Sequence, residues 1–462
     1  MLFTTFPFLI FLLTVLALFY ALPQRFRRYL LLAASLLFYM AWNVKFVLLI
    51  LGLITVDFFA ALWISMRSGA PRRVALLVSL AANIGMLGYF KYANFARETW
   101  AHIFRPGHPL QPLDVILPLG ISFHTFQSIS YVIDVYRGEQ TAVTSYVDYA
   151  LFVSFFPQLV AGPIVRAREF FGDLWNWQAP TASEWQRGVA MILTGFVKKL
   201  VFADQFSLVA DRYFTDPSAL PGMLPAWTGT IAFALQIFFD FSGYTDIAIG
   251  IALLFGFHFP ENFRRPYLSA SITEFWRRWH MTLSRWLRDY VYIPLGGNRS
   301  GEARTYLNLM LTMLIGGLWH GASWNFVIWG GYHGVLLAVE RAVWGRKERT
   351  GLSRIPLVVL TFLLVSVGWV FFRAKALGAA LFVLQQMVAV GADPGRSLLG
   401  PWQWRLAVIA LIIAIGEEYR GLWTRFTLAP AWARTVAVVM ALLAIELFSA
   451  TDQSIPFVYF QF

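Results

Sequence analysis

The sequence contains no cysteine, and this absence excludes several kinds of chemistry. A chain without thiols has no disulfide framework, no thiolate metal site, no acyl-cysteine intermediate and no palmitoylation site. Charged residues are also scarce. They make up 13% of the 462 residues, about half of the roughly 25% that is typical of soluble globular domains. The composition therefore argues against a soluble protein.

Hydrophobic residues make up 58% of the chain and are concentrated in long runs. Residues 2–22 contain no charged side chain, and residues 46–65 contain a single one, Asp57. Further uncharged runs cover residues 74–90, 227–239 and 355–372. A helix of about 20 apolar residues crosses a bilayer, and the runs lack the alternation of barrel strands. The sequence predicts an all-α polytopic membrane protein with roughly 10 to 12 hydrophobic segments.

Two clusters of three arginines predict the orientation of the chain in the membrane. They follow the runs that end at residues 22 and 65, and comprise Arg25, Arg27 and Arg28, and Arg67, Arg72 and Arg73. By the positive-inside rule both loops are cytoplasmic, which places the N-terminus outside. The first run lacks a basic leader and a small-residue cleavage site, so we expect a retained span and not a signal peptide. Arginines spread over alternating loops, with a net charge of +12, do not predict a nucleic-acid partner.

Helix-breaking or charged residues interrupt the hydrophobic segments in the middle of the chain. They are Pro118 and Gly120, then Pro157, Gly162 and Pro163, then Lys198 and Lys199. Irregular segments at membrane depth persist only inside protein or around a water-filled cavity. We therefore expect one membrane-embedded domain over residues 1–462. Its parts are a core at about 116–340, flanking helices at 1–92 and 355–450, and an aromatic C-terminal tail at 454–462.

An arginine-rich amphipathic segment is expected on the cytoplasmic side at residues 262–304. It carries arginines at positions 264, 265, 277, 278, 285, 288, 299 and 304. The stretch SITEFWRRWHMTLSRWLRDY opens with Ser271 and Glu274 at capping-box spacing. Its apolar residues recur at about 100° per residue, as in one amphipathic helix. His280 falls at the border between the apolar and charged faces, where we expect its ring to point into a pocket while staying hydrated.

Two of the seven histidines are candidates for catalysis. His320 is the one titratable residue in IGGLWHGASWNFVIWG, and His280 lies in the amphipathic segment. A buried histidine that ties helices together would explain His320, and so would a neutral imidazole that accepts a proton from a hydroxyl. We expect His124 and His333 to be hydrogen-bonded packing residues. Scattered histidines without cysteine do not predict a metal site.

Charged residues beside the apolar run at 227–239 have several possible roles. Asp240 and Asp246 could face a water-filled cavity, orient a histidine or cap broken helices, and we expect capping and packing. Lys198 and Lys199 are expected to extend to the membrane interface.

Five motifs, in order along the chain, resemble those of the membrane-bound O-acyltransferase (MBOAT) family. They are LPLGISFHTFQSISYVIDVYRG, FFPQLVAGPI, QIFFDFSGYTDIAIG, PENFRRPYLSASITEFWRRWHMTLSRWLRDYVYIPLGGNR and GLWHGASWNFVIWGGYHG. Within the family, they resemble the branch of bacterial alginate O-acetyltransferase membrane subunits. The resemblance implies an MBOAT-type helical bundle around a transmembrane tunnel, in the bacterial inner membrane.

The resemblance also implies roles for individual residues. His320, in the GLWHGASW motif, is expected to be catalytic, and His280 to be the second active-site residue. Supporting positions along the tunnel are expected to be Trp319, Asp240 and Asn298. No bound cofactor is expected, and acetyl-CoA enters from the cytoplasm as co-substrate. The arginines of 262–304 would attract this anionic donor, although positive-inside topology alone also explains them.

The C-terminal tail contains the sequence SIPFVYFQF, in which Tyr459 is the one hydroxyl-bearing ring. Such a tail fits an interfacial aromatic anchor in the membrane. It also resembles the C-terminal tyrosine motif of polymer-acylating members of the family, in which the tyrosine carries the acyl group. The second interpretation makes Tyr459 an acyl relay.

The predicted function is O-acetylation of an extracytoplasmic polysaccharide, with alginate as the expected polymer and peptidoglycan or cellulose as alternatives. Because no soluble domain is present to recognise a polymer, an extracytoplasmic serine-hydrolase-like acetyltransferase is expected as partner. Broken helices with polar groups at membrane depth are also typical of transporters, and a non-catalytic scaffold is a third possibility. A transporter would release no CoA from acetyl-CoA, and a scaffold would tolerate replacement of His320.

Overall fold

The computed structural model describes residues 3–108, 110–160, 162–344, 353–389, 395–449 and 457–458. These ranges contain helices, turns and irregular connections and no β-strand. The all-α prediction is therefore confirmed. Contacts group the chain into two compact units, unit 1 (Met1–Val189 and Ala248–Pro260) and unit 2 (Ala190–Ile247 and Glu261–Phe462). The single domain expected over residues 1–462 stays a prediction.

Unit 1 is built mainly from the first eight helices. They are α1 (Phe6–Ala21), α2 (Gln24–Met40), α3 (Lys45–Met66), α4 (Gly69–Leu87), α5 (Ala93–Phe104), α6 (Ile121–Arg137), α7 (Tyr146–Ser154) and α8 (Ala167–Trp175). A π-helical turn at Gly88–Tyr92 joins α4 to α5. The next helices are α9 (Ala182–Phe196), α10 (Asp204–Thr215) and α11 (Met223–Leu254). Residues of α9 and of α11 belong to both units, whereas α10 lies in unit 2.

The predicted breaks in the central hydrophobic segments are present in unit 1. Helix α6 begins directly after Gly120, whose φ of 70° is left-handed, and a Cβ on this glycine would overlap the main-chain oxygen of Leu159. After α7 the chain continues without regular helix past Pro157 and Pro163, and residues 155–160 and 162–165 are buried. The irregular stretch is thus enclosed by protein, as membrane depth requires.

The single charge in the run 46–65 is buried and hydrogen-bonded within unit 1. Asp57 on α3 accepts hydrogen bonds from Ser79 Oγ at 2.6 Å and from Asn83 Nδ2 at 2.8 Å. Both donors lie on α4, and all three residues are fully buried. Because a buried carboxylate without partners is costly, this polar set fixes how α3 and α4 face each other.

Unit 2 contains the remaining helices. They are α12 (Ile272–Arg278), α13 (Met281–Leu287), α14 (Glu302–His320), α15 (Trp324–Trp344), α16 (Arg354–Arg373), α17 (Leu377–Met387), α18 (Pro401–Arg420), α19 (Leu422–Leu428) and α20 (Ala431–Phe448). A π-helical segment at Val197–Ala203 separates α9 from α10, where Lys198 and Lys199 interrupt the apolar run. Aromatic and aliphatic side chains from α10, α11, α12, α15 and α16 form the apolar core of the unit.

Five helices in the described ranges are long and apolar enough to cross a membrane. They are Lys45–Met66, Gly69–Phe104, Met223–Leu254, Arg354–Arg373 and Ala431–Phe448. The shorter apolar helices are Phe6–Ala21 and Leu377–Met387. The prediction of a multi-pass membrane protein is confirmed. The roughly 10 to 12 hydrophobic segments expected by the length criterion are not all single spans, because turns and π-helical segments divide several of them.

Candidate active site

The predicted catalytic residue His320 is the last residue of α14, and the next residue has an extended main chain. Helices α14 and α15 pack closely because both carry glycine where their backbones meet. A Cβ on Gly317 would overlap the main-chain oxygen of Phe326, and a Cβ on Gly330 would overlap that of Met313. The glycines of the motif therefore allow direct backbone contact and hold the turn that carries His320.

Aromatic rings surround His320. Its ring centroid lies 5.0 Å from that of Trp319, 5.1 Å from that of Trp329 and 5.2 Å from that of Phe372. The residue is 6% exposed. His320 therefore lies in a site with aromatic walls, and little of it is open to water.

The stretch around His280 is not the single helix that its periodicity predicts. Helix α12 ends at Arg278 and α13 begins at Met281, and His280 between them has left-handed main-chain angles (φ 42°, ψ 54°). Most of the predicted apolar residues, including Phe275 and Leu283, are nevertheless buried. His280 itself is 0% exposed, so the expectation of a hydrated ring at the border of two faces is wrong.

Asn262 holds both the main chain and the ring at this break. Its main-chain oxygen accepts the N–H of Met281 at 2.9 Å. Its Oδ1 accepts the main-chain N–H of Thr282 at 3.2 Å and the Thr282 hydroxyl at 2.9 Å. His280 Nδ1 lies 3.1 Å from the same Oδ1. Because a carbonyl oxygen only accepts hydrogen bonds, Nδ1 carries the proton and Nε2 keeps its lone pair.

The ring of His280 is neutral at physiological pH. Burial lowers the pKa of His280, which lies outside the five candidate spans, to about 3 because the charged form is poorly solvated in the interior. Sequence reasoning did not identify Asn262 as a site residue. Its one signal is its position in PENFRR, at the start of the amphipathic segment.

Three of the predicted site residues lie together in unit 2. The ring centroid of His280 is 6.4 Å from that of His320 and 6.0 Å from that of Trp319. Phe241 packs edge-on against His280, with the ring centroids 4.7 Å apart. The two imidazoles therefore share one aromatic-walled site.

Asp240, which precedes Phe241, belongs to a buried charge cluster in the same unit. Lys199 Nζ lies 2.7 Å from Asp240 Oδ1 and 2.8 Å from Asp204 Oδ1. Lys199 is 1% exposed, so the expectation that this lysine extends to the membrane interface is wrong. Asp240 Oδ2 accepts the main-chain N–H of Val458 at 2.7 Å. Asp240 thus connects the core of unit 2 to the C-terminal tail.

Two further predicted positions lie elsewhere. Asn298 is exposed, in a turn that follows the π-helical segment Arg288–Tyr292, and its supporting role stays a prediction. Tyr459 lies outside the described residues. The described part of the tail, Phe457 and Val458, is 1% and 2% exposed, and it is buried within unit 2.

His124 and His333 are fully buried packing residues, as expected. The expected hydrogen bonds are not present, because neither ring has a partner within the described part of the chain. In the same ranges, no group of three or more His, Cys, Asp or Glu residues is arranged to hold a metal ion.

At least four of the eight arginines of residues 262–304 pair with acids in the described part of the chain. Arg265 and Arg278 contact Glu418 at 2.6 and 2.9 Å. Arg264 and Arg288 each pair with an acid nearby in the sequence. The positive charge that this segment offers to an anionic donor is therefore lower than the count of arginines suggests.

Residues 139–372 match the sequence profile of the membrane-bound O-acyltransferase (MBOAT) family. The matched region contains both histidines of the site, Asn262 and the charge cluster around Lys199. It also overlaps most of the core expected at residues 116–340.

The chain is similar to named proteins over most of its length. It is 41% identical to the probable alginate O-acetylase AlgI of Pseudomonas putida, over 97% of each chain. It is 40% identical to the probable alginate O-acetylase AlgI of Azotobacter vinelandii, again over 97% of each chain. It is 42% identical to the peptidoglycan O-acetyltransferase of Helicobacter pylori, over 80% of this chain and 75% of that protein.

Proposed function

Since this chain belongs to the membrane-bound O-acyltransferase family, we propose that it transfers an acetyl group from cytoplasmic acetyl-CoA to an extracytoplasmic polysaccharide. The proposed polymer is alginate, because the near full-length relatives carry that name. The proposed location is the bacterial inner membrane. The proposal is supported by the two buried imidazoles of His280 and His320, which lie in one aromatic-walled site in unit 2.

In this proposal His320 acts as the general base. It accepts the proton of the acceptor hydroxyl while the hydroxyl oxygen attacks the thioester carbonyl of acetyl-CoA. A C–O bond forms, the C–S bond breaks, and the proton passes from His320 to the leaving thiolate of CoA. The rings of Trp319, Trp329 and Phe372 around the base exclude water that would hydrolyse the thioester.

His280 supports the base through its Nε2 atom. Its Nδ1–H is held by Asn262, so in this tautomer the ring offers a lone pair and not a second proton. In this tautomer His280 is a second acceptor for the proton of the acceptor hydroxyl, and it cannot donate a proton from Nε2 to the thioester carbonyl.

The first acceptor in this proposal is the phenol of Tyr459. The residues directly before it, Phe457 and Val458, are buried in the same unit as the histidines, which supports delivery of the tail to the site. A serine-hydrolase-like enzyme outside the membrane would then take the acetyl group from the tyrosine ester to the polymer. Donor and acceptor would reach the site from opposite ends of a tunnel.

Replacement of the base tests the proposal. Membranes that contain the parent protein or His320→Ala receive labelled acetyl-CoA, and label on the polymer is measured. Loss of the base should lower transfer by about a hundred- to ten-thousand-fold, at an unchanged amount of protein in the membrane. His102→Ala, which alters an exposed histidine on α5, is the matched control. Parent-like transfer by His320→Ala would remove this residue from catalysis.

The relay is tested separately by mass spectrometry of the C-terminal peptide after incubation with acetyl-CoA. We expect an added acetyl group on Tyr459. An unmodified tail, together with full activity of Tyr459→Phe, would contradict the relay and leave the acyltransferase proposal intact.

Peptidoglycan is a second candidate polymer, because the Helicobacter pylori relative is named for it. Supplying the protein and an extracytoplasmic partner enzyme with either alginate or peptidoglycan would distinguish the two. Label on alginate supports the first proposal, and label on peptidoglycan alone would replace it.

A further inference from the structure

The charge cluster of unit 2 contains more negative than positive groups. Lys199 lies between two carboxylates, Asp240 and Asp204, at 2.7 and 2.8 Å. The side chains of Lys199 and Asp240 are each 2% exposed, and that of Asp204 is 6% exposed. A buried carboxylate needs hydrogen-bond donors on both of its oxygens to offset its lost hydration. One lysine between two carboxylates cannot supply donors to all four of their oxygens, so further hydrogen-bond donors are needed.

The C-terminal tail supplies the additional donor. The main-chain N–H of Val458 donates to Asp240 Oδ2 at 2.7 Å, opposite the oxygen that faces Lys199. Lys199 Nζ also lies 4.8 Å from the ring centroid of Phe457, within the range of a cation–π contact. Tyr244 contacts the same ring edge-on, with centroids 4.6 Å apart. The cluster therefore contacts the backbone of one tail residue and the ring of the other.

A second lysine and aspartate on the same elements have no contact with Phe457 or Val458 in the described part of the tail. Lys198 Nζ pairs with Asp246 Oδ2 at 2.6 Å, and both side chains are about one-quarter exposed (25% and 22%). This pair joins the π-helical segment to α11 as the buried cluster does. A substitution in this pair therefore serves as a control, because it changes a contact between the same two elements without removing a contact to Phe457 or Val458.

We propose that Asp240, with Lys199 and Asp204, anchors the C-terminal tail and is a positioning residue for the acyl relay. Because Tyr459 directly follows Val458 in the sequence, fixing the main chain at Val458 would restrict how far the relay tyrosine can move from unit 2. Phe241, directly after Asp240, packs on His280, so the anchor and the site share one stretch of α11. The positioning role rests on the proposed relay, whereas the anchor itself does not.

Thiol accessibility in the full-length protein tests the anchor. Because the chain has no cysteine, Val458→Cys introduces a single reporter thiol at a position that is 2% exposed, and it keeps the main-chain N–H. We expect slow labelling by a maleimide in membranes. Addition of Asp240→Asn should raise the labelling rate by about tenfold or more, since a charge-assisted hydrogen bond is lost. Addition of Asp246→Asn should leave the rate within about twofold of the reporter alone.

Equal protection of the thiol with and without Asp240→Asn would overturn the anchor. Two activity measurements then test positioning. Asp240→Asn should lower acetyl transfer to the polymer by about tenfold or more, and Asp246→Asn should not. An exposed thiol with unchanged polymer acetylation would overturn the positioning role.

Val458→Pro is a second variant that breaks the same hydrogen bond, and it distinguishes loss of the anchor from a folding defect caused by Asp240→Asn. It removes the donated N–H and leaves all three charged side chains in place. We expect it to insert at the parent level and to lose polymer acetylation by a similar factor. Full activity of Val458→Pro would overturn the proposal. Full activity of Tyr459→Phe would instead remove the relay, while the labelling result would still report on the anchor.

Discussion

At position 280 the main chain takes a conformation that L-amino acids adopt only rarely. The left-handed angles of His280 (φ 42°, ψ 54°) cost on the order of 1–3 kcal/mol for a residue with a Cβ. Such strain persists only where neighbouring contacts fix it. Asn262 provides these contacts, because it holds the N–H groups of the next two residues as well as the ring.

We predict that Asn262→Ala impairs both stability and catalysis. The substitution leaves the buried N–H of Thr282 without its acceptor, which costs about 1–3 kcal/mol, and releases the ring of His280. Thermal unfolding of the purified protein and acetyl transfer to the polymer are the measurements. Thr282→Val, which removes only the hydroxyl contact to the same oxygen, should have a smaller effect on both. Equal effects of the two variants would argue against a special role for Asn262.

An exposed histidine in unit 1 gives a pH prediction. Burial lowers the pKa of His258, but hydrogen bonds to Glu184 and Asp173 outweigh this effect and raise it. The hydrogen bond from His258, followed by those from Thr181, also lowers the pKa of Glu184 to about 2. A raised folded pKa stabilises the protein below the unfolded value of about 6.5, and this contribution is lost as pH rises through the folded pKa.

Between pH 6 and pH 8 the parent protein should therefore lose more stability than His258→Gln. Because the His258 side chain is 57% exposed, we expect a difference of less than about 1 kcal/mol. Thermal unfolding at both pH values measures it. Glu184 does not change its charge in this interval, since its contribution is lost only near its own low pKa. An identical pH dependence in the two proteins would contradict the prediction.

The motifs singled out His320 and His280 as candidates and Trp319, Asp240 and Asn298 as supporting positions, but they did not reveal Asn262 or the ion pairs of Lys199. Lys199 follows an apolar run, and a lysine there is expected to reach the interface. Its partners Asp204 and Asp240 lie 5 and 41 positions away, and only the fold brings them together. Asn262 was missed for the same reason, because its contacts at 280–282 depend on the break between two helices. Local patterns carry no information about such pairs.

At the scale of elements, the turn that carries His320 depends on the contact between α14 and α15. We predict that Gly330→Ala disrupts this contact, because the new methyl group would overlap the main-chain oxygen of Met313. Overpacking of this kind costs about 1–3 kcal/mol, and displacement of His320 should lower acetyl transfer as well. Thermal stability and transfer activity are the measurements.

The neighbouring glycine provides a matched control. A Cβ on Gly331 would lie 3.6 Å from a side-chain carbon of Leu314, an ordinary packing distance. Gly331→Ala should therefore leave stability and activity near the parent values. Similar losses in both variants would show that close backbone approach is not what the glycine at 330 provides.

The break at residues 279–280 shows why the elements were predicted only in part. Helical periodicity reports which residues are buried, and Phe275, Leu283 and Trp286 are buried as the pattern requires. A residue with left-handed main-chain angles can change the direction of the chain while the same side chains stay buried. The hydrophobic period therefore does not reveal the break between the two helices. Histidine tolerates positive φ better than most residues, but this preference is too weak to predict a break.

At the scale of the whole molecule, composition and motifs predicted both the family and the helical membrane fold. The match to the MBOAT family supports the acyltransferase interpretation against the transporter and scaffold alternatives. The number of membrane crossings could not be predicted from the sequence, because hydropathy does not distinguish a long span from a segment divided by a turn. In the described ranges, five helices are long and apolar enough to cross a membrane.

The predicted orientation can be tested with sealed vesicles. Arginine clusters after the runs that end at residues 22 and 65 predict that those loops are cytoplasmic, and acetyl-CoA is too strongly charged to cross a bilayer. Inside-out vesicles should therefore release CoA, and right-side-out vesicles should do so only after permeabilisation. Equal release from both sealed preparations would contradict a donor entrance on the cytoplasmic side.

The hydrogen bond between Asp240 and Val458 has a consequence for biogenesis. The two residues are 218 positions apart, so a ribosome that adds roughly 5–20 residues per second makes the second about 10–40 s after the first. During that interval Asp240 has been synthesised and Val458 has not. We therefore expect the hydrogen bond between them to form late in the maturation of unit 2, and chains truncated before Val458 would contain both histidines of the site but lack this donor to Asp240.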